Sequence, residues 1–466
     1  MLRTNAVENT RAMTRTRWVV LIASLAVIPL PGCKGTLEVT DREFVTPQGA
    51  AVDLLVAGAI RDFNTAYSGG GLTDRFLSTS MLITDELYDV ETFTTRIATD
   101  QRAQQTIEQG NTSDAGYNEL HQARRAAIRA FDALGEAGRG SAPEAADMKL
   151  FEGYTHLALG EGFCSGIPFS ELTPEGELDL QSAGTPVSTQ QVFEDAVVRF
   201  DAAIGIDGSN DAARVGKGRA LVNLGRYAEA AQAVSSVPTS FLRVIPHSAN
   251  TGDQENPIFN LQSNGRYSLS DMEGGNGLPF RSAQDPRIPW VQGGTGFDGI
   301  NTIFYSQKYS ESRAAPVVLA DGVEARLIEA EAALAAGNAA GMITILNDLR
   351  SQVATLMAAR IPDYGSYVPG PNNPTTTLAP LTDPGTAAGQ VDLLMSERAF
   401  WMWGTGHRLG DLRRLIRDYG RSESSVFPAG DYHKGGTYGA DVVLPLDFGE
   451  QNNPNWSVGM CSFTTP

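Results

Sequence analysis

The sequence predicts a mainly α protein with little β structure, and three observations carry that reading. Apolar residues recur at the three- and four-residue spacing of a buried helix face. Short turns punctuated by Gly and by capping residues join consecutive helices into pairs. Two long stretches rich in Gly, Asn, Asp and Pro, near 250–300 and 361–390, interrupt the helical pattern and read as loop insertions. The 466 residues, 42% of them hydrophobic, suffice for a large core.

The elements follow in chain order. Gly218, Leu221, Gly225, Tyr227 and Ala230 resemble the centre of a tetratricopeptide unit. Gly218 lets paired helices approach, Gly225 opens the turn, and Tyr227 and Ala230 pack the second helix. The same seven-residue step recurs from Gly153 to Gly160 and from Ala330 to Gly337, at irregular intervals, so insertions must separate the copies. Asp321 is placed to cap a helix carrying Val323, Leu327, Ala330 and Leu334; Gly337 ends it, and Asn338 caps the next. Met342, Ile345, Leu346 and Leu349 form a stripe on that next helix, and two more stripes run through Val391, Met395, Ala399 and Met402, then Leu412, Leu415, Ile416 and Tyr419. The composition of 250–300 and 361–390 argues against helix, and loops of that length inside a packed domain are commonly part of a binding face. A merely decorative surface loop is the competing reading for 361–390.

The N-terminus has a targeting layout. Arg11, Arg15 and Arg17 precede an apolar run, Trp18–Ile28, that is too short for a permanent membrane span. Leu30-Pro31-Gly32-Cys33 then resembles a bacterial lipobox, in which the Cys33 thiol is acylated and the chain is cut just before it. The domain reading is therefore a signal peptide over 1–32 and one domain over 33–466. An ordinary secretory signal or a buried helix would share the apolar run. Cleavage before Cys33 removes four Arg and one Glu and takes the net charge from −18 to −21. So acidic a chain is repelled by nucleic-acid backbones and lacks a basic patch for anionic lipid, which leaves acyl chains as the membrane contact. Cys164 and Cys461 are the other two cysteines; in an exported chain an even pair suggests a disulfide, against the alternative of two unrelated buried thiols.

Motifs of covalent chemistry are missing. None of the five His lies in a zinc-protease pattern, Gly216-Lys217 lacks the rest of a phosphate loop, and there is no nucleophile elbow. The sequence thus gives no catalytic residue, metal site or cofactor, although the paired carboxylates of a glycosidase leave no local pattern.

Several segments together resemble one family, the SusD/RagB-type outer-membrane nutrient-binding lipoproteins. Leu37-Glu-Val-Thr40 and Thr46-Pro47 resemble its start, and Asp85-Glu-Leu-Tyr88 its acidic segment after the first helix. Asp285-Pro-Arg287, Lys308-Tyr309, Val317–Ala332 and Leu346–Arg350 resemble its central signature. Glu397-Arg398, then Gly406-His407-Arg408, then Asp411-Leu412-Arg413 resemble its C-terminal motif, and Leu444-Pro445 with Asn453-Pro454-Asn455 its closing loop. Trp401 and Thr405 stand where that family carries acids, and Asp447 departs from its closing pattern.

The resemblance implies a SusD-like helical fold and a non-enzymatic role: a surface-exposed lipoprotein of the outer membrane that binds oligosaccharides or peptides and passes them to a SusC-type TonB-dependent transporter. A lipid-anchored glycan hydrolase and a tetratricopeptide adaptor that binds only protein are the alternatives. Glu397, Arg398, Gly406, Arg408 and Asp411 read as architecture, with a charge-assisted pair locking two helices. A sugar binder needs aromatic plates beside amide, carboxylate or guanidinium groups. By residue type and loop context the candidates are Tyr88, Phe93 and Arg96 after the first helical region, and Trp290, Phe297 and Tyr305 in or beside the 250–300 insertion, with Trp290 foremost.

Overall fold

A computed structural model describes residues 50–104, 115–170, 183–310, 312–361, 377–457 and 459–466. Cys33, the apolar run before it, the segment 37–47 and residues 362–376 of the proline-rich stretch lie outside the described residues.

The N-terminal half is a series of helices, each packed on the next. After α1 (Ala50–Ser68) come α2 (Phe76–Leu82), strand β1 (Leu87–Asp89) and α3 (Thr94–Asp100). Then follow α4 (Tyr117–Glu136), α5 (Pro143–Gly162), the paired two-residue strands β2 (Ile167–Pro168) and β3 (Pro186–Val187), α6 (Thr189–Ile206), α7 (Asp211–Asn223) and α8 (Tyr227–Val234). α1 packs on α4, α4 on α5, α5 on α6, α6 on α7 and α7 on α8. Glycine sets these spacings: a Cβ at Gly153 or Gly160 would lie 2.7 Å from the Phe200 or Phe193 ring of α6, and one at Gly218 2.6 Å from Val234. Gly225 turns the chain at φ 70°, as its place in the repeat requires. Gly160 differs from expectation. It sits inside α5, so the step from Gly153 to Gly160 is two close-approach positions on one helix face, not a helix followed by its turn.

The segment 242–321, which includes the insertion, contributes β4 (Leu242–Ile245), α9 (Pro257–Ser263), β5 (Tyr267–Leu269), β6 (Trp290–Thr295), β7 (Thr302–Ser306), α10 (Gln307–Ser310) and β8 (Val317–Asp321). Pairing is antiparallel throughout: β1 with β5, β4 with β8, β6 with β7. α9 corrects the reading of 250–300 as all loop. Asn256 accepts from the Phe259 amide at 3.0 Å, and Pro257 fills the first turn, where no amide hydrogen is needed, so local capping overrides composition.

The C-terminal helices are α11 (Gly322–Ala335), α12 (Ala339–Ser351), α13 (Val353–Arg360), α14 (Ala387–Met402), α15 (Arg408–Arg417) and α16 (Glu423–Val426). Asp321 and Asn338 cap α11 and α12 through the Glu324 and Gly341 amides, at 2.8 and 2.9 Å. α14 begins inside the stretch assigned to loop, because Thr386 caps it after the last proline. α15 stops before Tyr419, whose hydroxyl instead bonds Glu331 at 2.8 Å. Trp401 and Trp403 are buried, as their place beside the motif suggests.

The motif residues join distant chain segments through buried charge. Arg398 grips Asp411 with two bonds of 3.0 and 2.9 Å, and Arg414 adds a third at 2.7 Å. Burial opposes ionisation of Asp411, but the two guanidiniums outweigh it and hold its carboxyl well below the usual range. Glu397 takes Arg287 at 2.7 Å and Arg350 at 2.5 Å. Arg408 is bidentate to Asp85 at 2.6 and 2.8 Å. Gly406, at φ 78°, turns its carbonyl to Arg219 at 2.9 Å. Cys164 is bonded to Cys461, with Cα atoms 5.1 Å apart, and ties the end of the chain to the segment after α5.

Beside this network Glu86 accepts from the Gly404 amide at 2.8 Å, and burial pushes its carboxyl up to about 8. A raised carboxyl contributes stability that is complete below its unfolded value and is lost as pH rises through the folded one. Glu86→Gln therefore gains on the parent chain as pH is raised from 5 to 8, by on the order of a few kcal/mol. Denaturant melts of both proteins at the two pH values check this; a constant difference contradicts it.

Candidate functional site

The site is built where β1 and its following turn meet the hairpin of β6 and β7. β1 pairs with β5, and β5 lies beside β7, so the short strands carry Tyr88, Arg266 and Phe297 into one region. The hairpin tip is pinned there by backbone. Phe297 N donates to Gly265 O and Asp298 N to Val90 O, each at 2.9 Å. Gly296 makes this possible, since a Cβ there would sit 2.6 Å from Val90 Cβ. Asp298 stiffens the tip by accepting from the amides of Ile300 and Asn301 at 2.9 Å.

Two phenylalanines are left in solvent. Phe93 is 53% and Phe297 56% exposed. Burying such rings is worth a kcal/mol or more each, roughly, so two exposed together are costly to keep without a ligand. Between them lies a held cation: the Arg266 guanidinium is 3.8 Å from the Phe297 centroid and 5.4 Å from that of Phe93. Arg96 is 5.4 Å from the centroids of both Phe93 and Tyr267. Glu91, fully buried, spans the pair, taking Arg96 on Oε1 and Arg266 on Oε2, both at 2.8 Å. Arg96 also donates to Asp74 at 2.5 Å and to the Leu72 carbonyl at 2.9 Å. The guanidiniums are thus locked flat before any ligand arrives.

A C-terminal segment underpins this face. His433 bonds the Asp89 carbonyl at 2.8 Å and presents its ring edge-on to Tyr88, centroids 5.1 Å apart. Lys434 bonds the Asp89 carboxylate and the Glu91 carbonyl. Burial pushes the Asp89 carboxyl up to about 6, against the pull of Lys434. Asp100 and Glu273 are also raised by burial and flank His433 Nδ1 at 4.0 and 3.8 Å. Among the described residues no group of three or more His, Cys, Asp or Glu is placed to hold a metal ion.

Of the six residues nominated from the sequence, Phe93, Arg96 and Phe297 come together around Glu91 and Arg266. Tyr88 adjoins them, its hydroxyl donating to Thr302 O at 2.8 Å. Trp290 lies at the other end of the hairpin. It is half-buried, its Nε1 donates to Arg281 O at 3.1 Å, and its ring packs edge-on to Phe304, so it serves as hairpin packing more than as an open plate. Tyr305 is also half-buried and covers Gly293, where a Cβ would meet its ring at 2.2 Å. Sequence reasoning missed Arg266 and Glu91. Arg266 follows a turn glycine in the insertion, and nothing local signals that its acid partner lies 175 residues away.

No protein-family model and no curated protein matches the chain by sequence. Comparison of folds does find relatives. A SusD superfamily protein from Parabacteroides distasonis superposes with TM-score 0.60 at 14% identity, over 87% of this chain and 98% of that one. The chain has the SusD fold. A SusD superfamily protein from Bacteroides fragilis gives TM-score 0.59 at 14% identity, covering 84% and 95% of the two chains. A laminarin-binding SusD-like protein gives 0.59 at 13%, covering 88% and 98%. In SusD terms the expected helical scaffold with loop-rich insertions is present, with Phe297 at the tip of the hairpin of β6 and β7 and Phe93 just before α3. No described helix is long and apolar enough to cross a membrane.

Proposed function

We propose that this chain is a SusD-type glycan-binding lipoprotein. It is anchored by acyl chains on Cys33 at the outer membrane, faces the cell surface, and hands oligosaccharides to a SusC-type TonB-dependent transporter. The carrying observation is the exposed pair Phe93 and Phe297 around guanidiniums fixed by buried Glu91. Pyranose rings offer apolar faces to the phenyl rings and hydroxyls to the guanidiniums, and a site already ordered loses little entropy on binding. The laminarin-binding relative supports a neutral glucan as the ligand class.

Native gels cast with laminarin, starch or xylan test the reading: at least one polysaccharide retards the protein without releasing reducing sugar. Free migration in all three contradicts it, and released sugar favours the hydrolase. For the anchor, Cys33→Ser shifts the protein from the membrane to the soluble fraction, because two acyl chains supply the attachment. Membrane retention of that variant contradicts acylation at Cys33.

A further inference from the structure

We infer that the binding face continues past the ring pair into a second, polar station, a groove between the C-terminal half of α1 and the loop 246–254 that takes further hydroxylated units of an extended neutral oligosaccharide. This rests on the glycan reading of the ring pair. Two cavities, of about 280 and 440 Å³, share Arg61, Thr65, Asp253 and Gln254 in their walls and so form one groove. Its size is that of small-molecule sites.

The groove is a built feature. Gly70 brings the loop against the chain, since a Cβ there would lie 1.9 Å from Asp253 O. His247 is the peg between them. Its Nδ1 donates to the Gln254 carbonyl at 3.1 Å, which can only accept, and its Nε2 faces the Ser68 hydroxyl at 3.0 Å. Burial pulls this imidazole down to about 4, so the peg is neutral under ordinary conditions.

Its chemistry is that of hydroxyl recognition. Asn64, Thr65 and Gln254 offer amides and a hydroxyl, and among the described residues none bonds their side chains. The walls carry Arg61, Arg75 and Asp253; Arg75 is neutralised by Glu119 at 2.6 Å, so Arg61 and Asp253 leave one charge of each sign, which favours a neutral ligand. The groove also reaches the segment that holds Arg96. Thr73 lines it, and the residues on either side, Leu72 and Asp74, both bond Arg96. A chain lying on Phe93 and Phe297 therefore has a polar channel beginning next to its Arg96 contact.

Calorimetric titration with laminari- and malto-oligosaccharides of two to seven units tests this, using the parent and Gln254→Trp, which fills the groove from an exposed position. In the parent, affinity for one series rises about tenfold from three to six units, as a few added hydrogen bonds give. In Gln254→Trp the trisaccharide binds as in the parent and the gain with length is gone. Asn64→Ala, which removes an amide without filling space, loses part of that gain. A full length-dependent gain in Gln254→Trp, or none in the parent, overturns the groove while leaving the ring pair standing. Failure of the parent to bind either series overturns both.

Discussion

Arg408→Ala destabilises the folded chain by about 3–5 kcal/mol, the range for stripping one partner from a buried ion pair. Asp85 and Arg408 are both buried, 323 residues apart in sequence, and meet through two bonds. Asp85 also accepts the Leu278 amide at 2.9 Å, so one carboxylate holds the end of α2, the insertion and the start of α15. Removing the guanidinium leaves that carboxylate buried without its cation. Arg408→Lys recovers only part of the loss, because an ammonium cannot make the paired contact. Arg398→Ala acts in the same direction but less, since Arg414 still faces Asp411 at 2.7 Å. Denaturant unfolding followed by circular dichroism measures the differences. Glycan affinity of the folded fraction stays unchanged in all three, and a variant that keeps its stability but loses binding contradicts the architectural assignment.

Phe297→Ala weakens glycan binding by roughly five- to thirty-fold, about 1–2 kcal/mol, with the melting temperature unchanged. Phe297 is more than half exposed, so truncation opens no core cavity, and the tip holds its shape through backbone and Asp298 bonds that the substitution leaves alone. Phe93→Ala has a similar effect. Trp290→Ala behaves differently. It removes the packing on Phe304 and the bond to Arg281 O, so it lowers stability together with affinity. Calorimetry paired with thermal melts of the three variants separates a plate from a packing residue.

The scaffold was legible because its signals are local. A stripe such as Met342, Leu346 and Leu349 and a cap such as Asn338 lie within one or two turns of what they determine. Errors arose where a local signal was outvoted. Asn256 and Pro257 start a helix inside a stretch whose composition argues against one. Gly160 has the spacing of a turn but is needed for contact with Phe193. The site was legible only in part. Residue type and loop context found Phe93, Arg96 and Phe297 separately; what unites them is Glu91 bonding Arg266 across 175 residues, a pairing that leaves no mark on either neighbourhood. Trp290 met the same criteria, and its half-burial, its packing on Phe304 and its indole bond to Arg281 O distinguish it.

Hydroxyl-radical footprinting of the full chain, free and saturated with the retarding polysaccharide, tests the location of binding most directly. Phe93 and Phe297 lose most of their reactivity when the glycan is bound, while Phe448, itself 42% exposed, does not change. Unaltered oxidation of both phenylalanines, with protection elsewhere on the surface, contradicts the account.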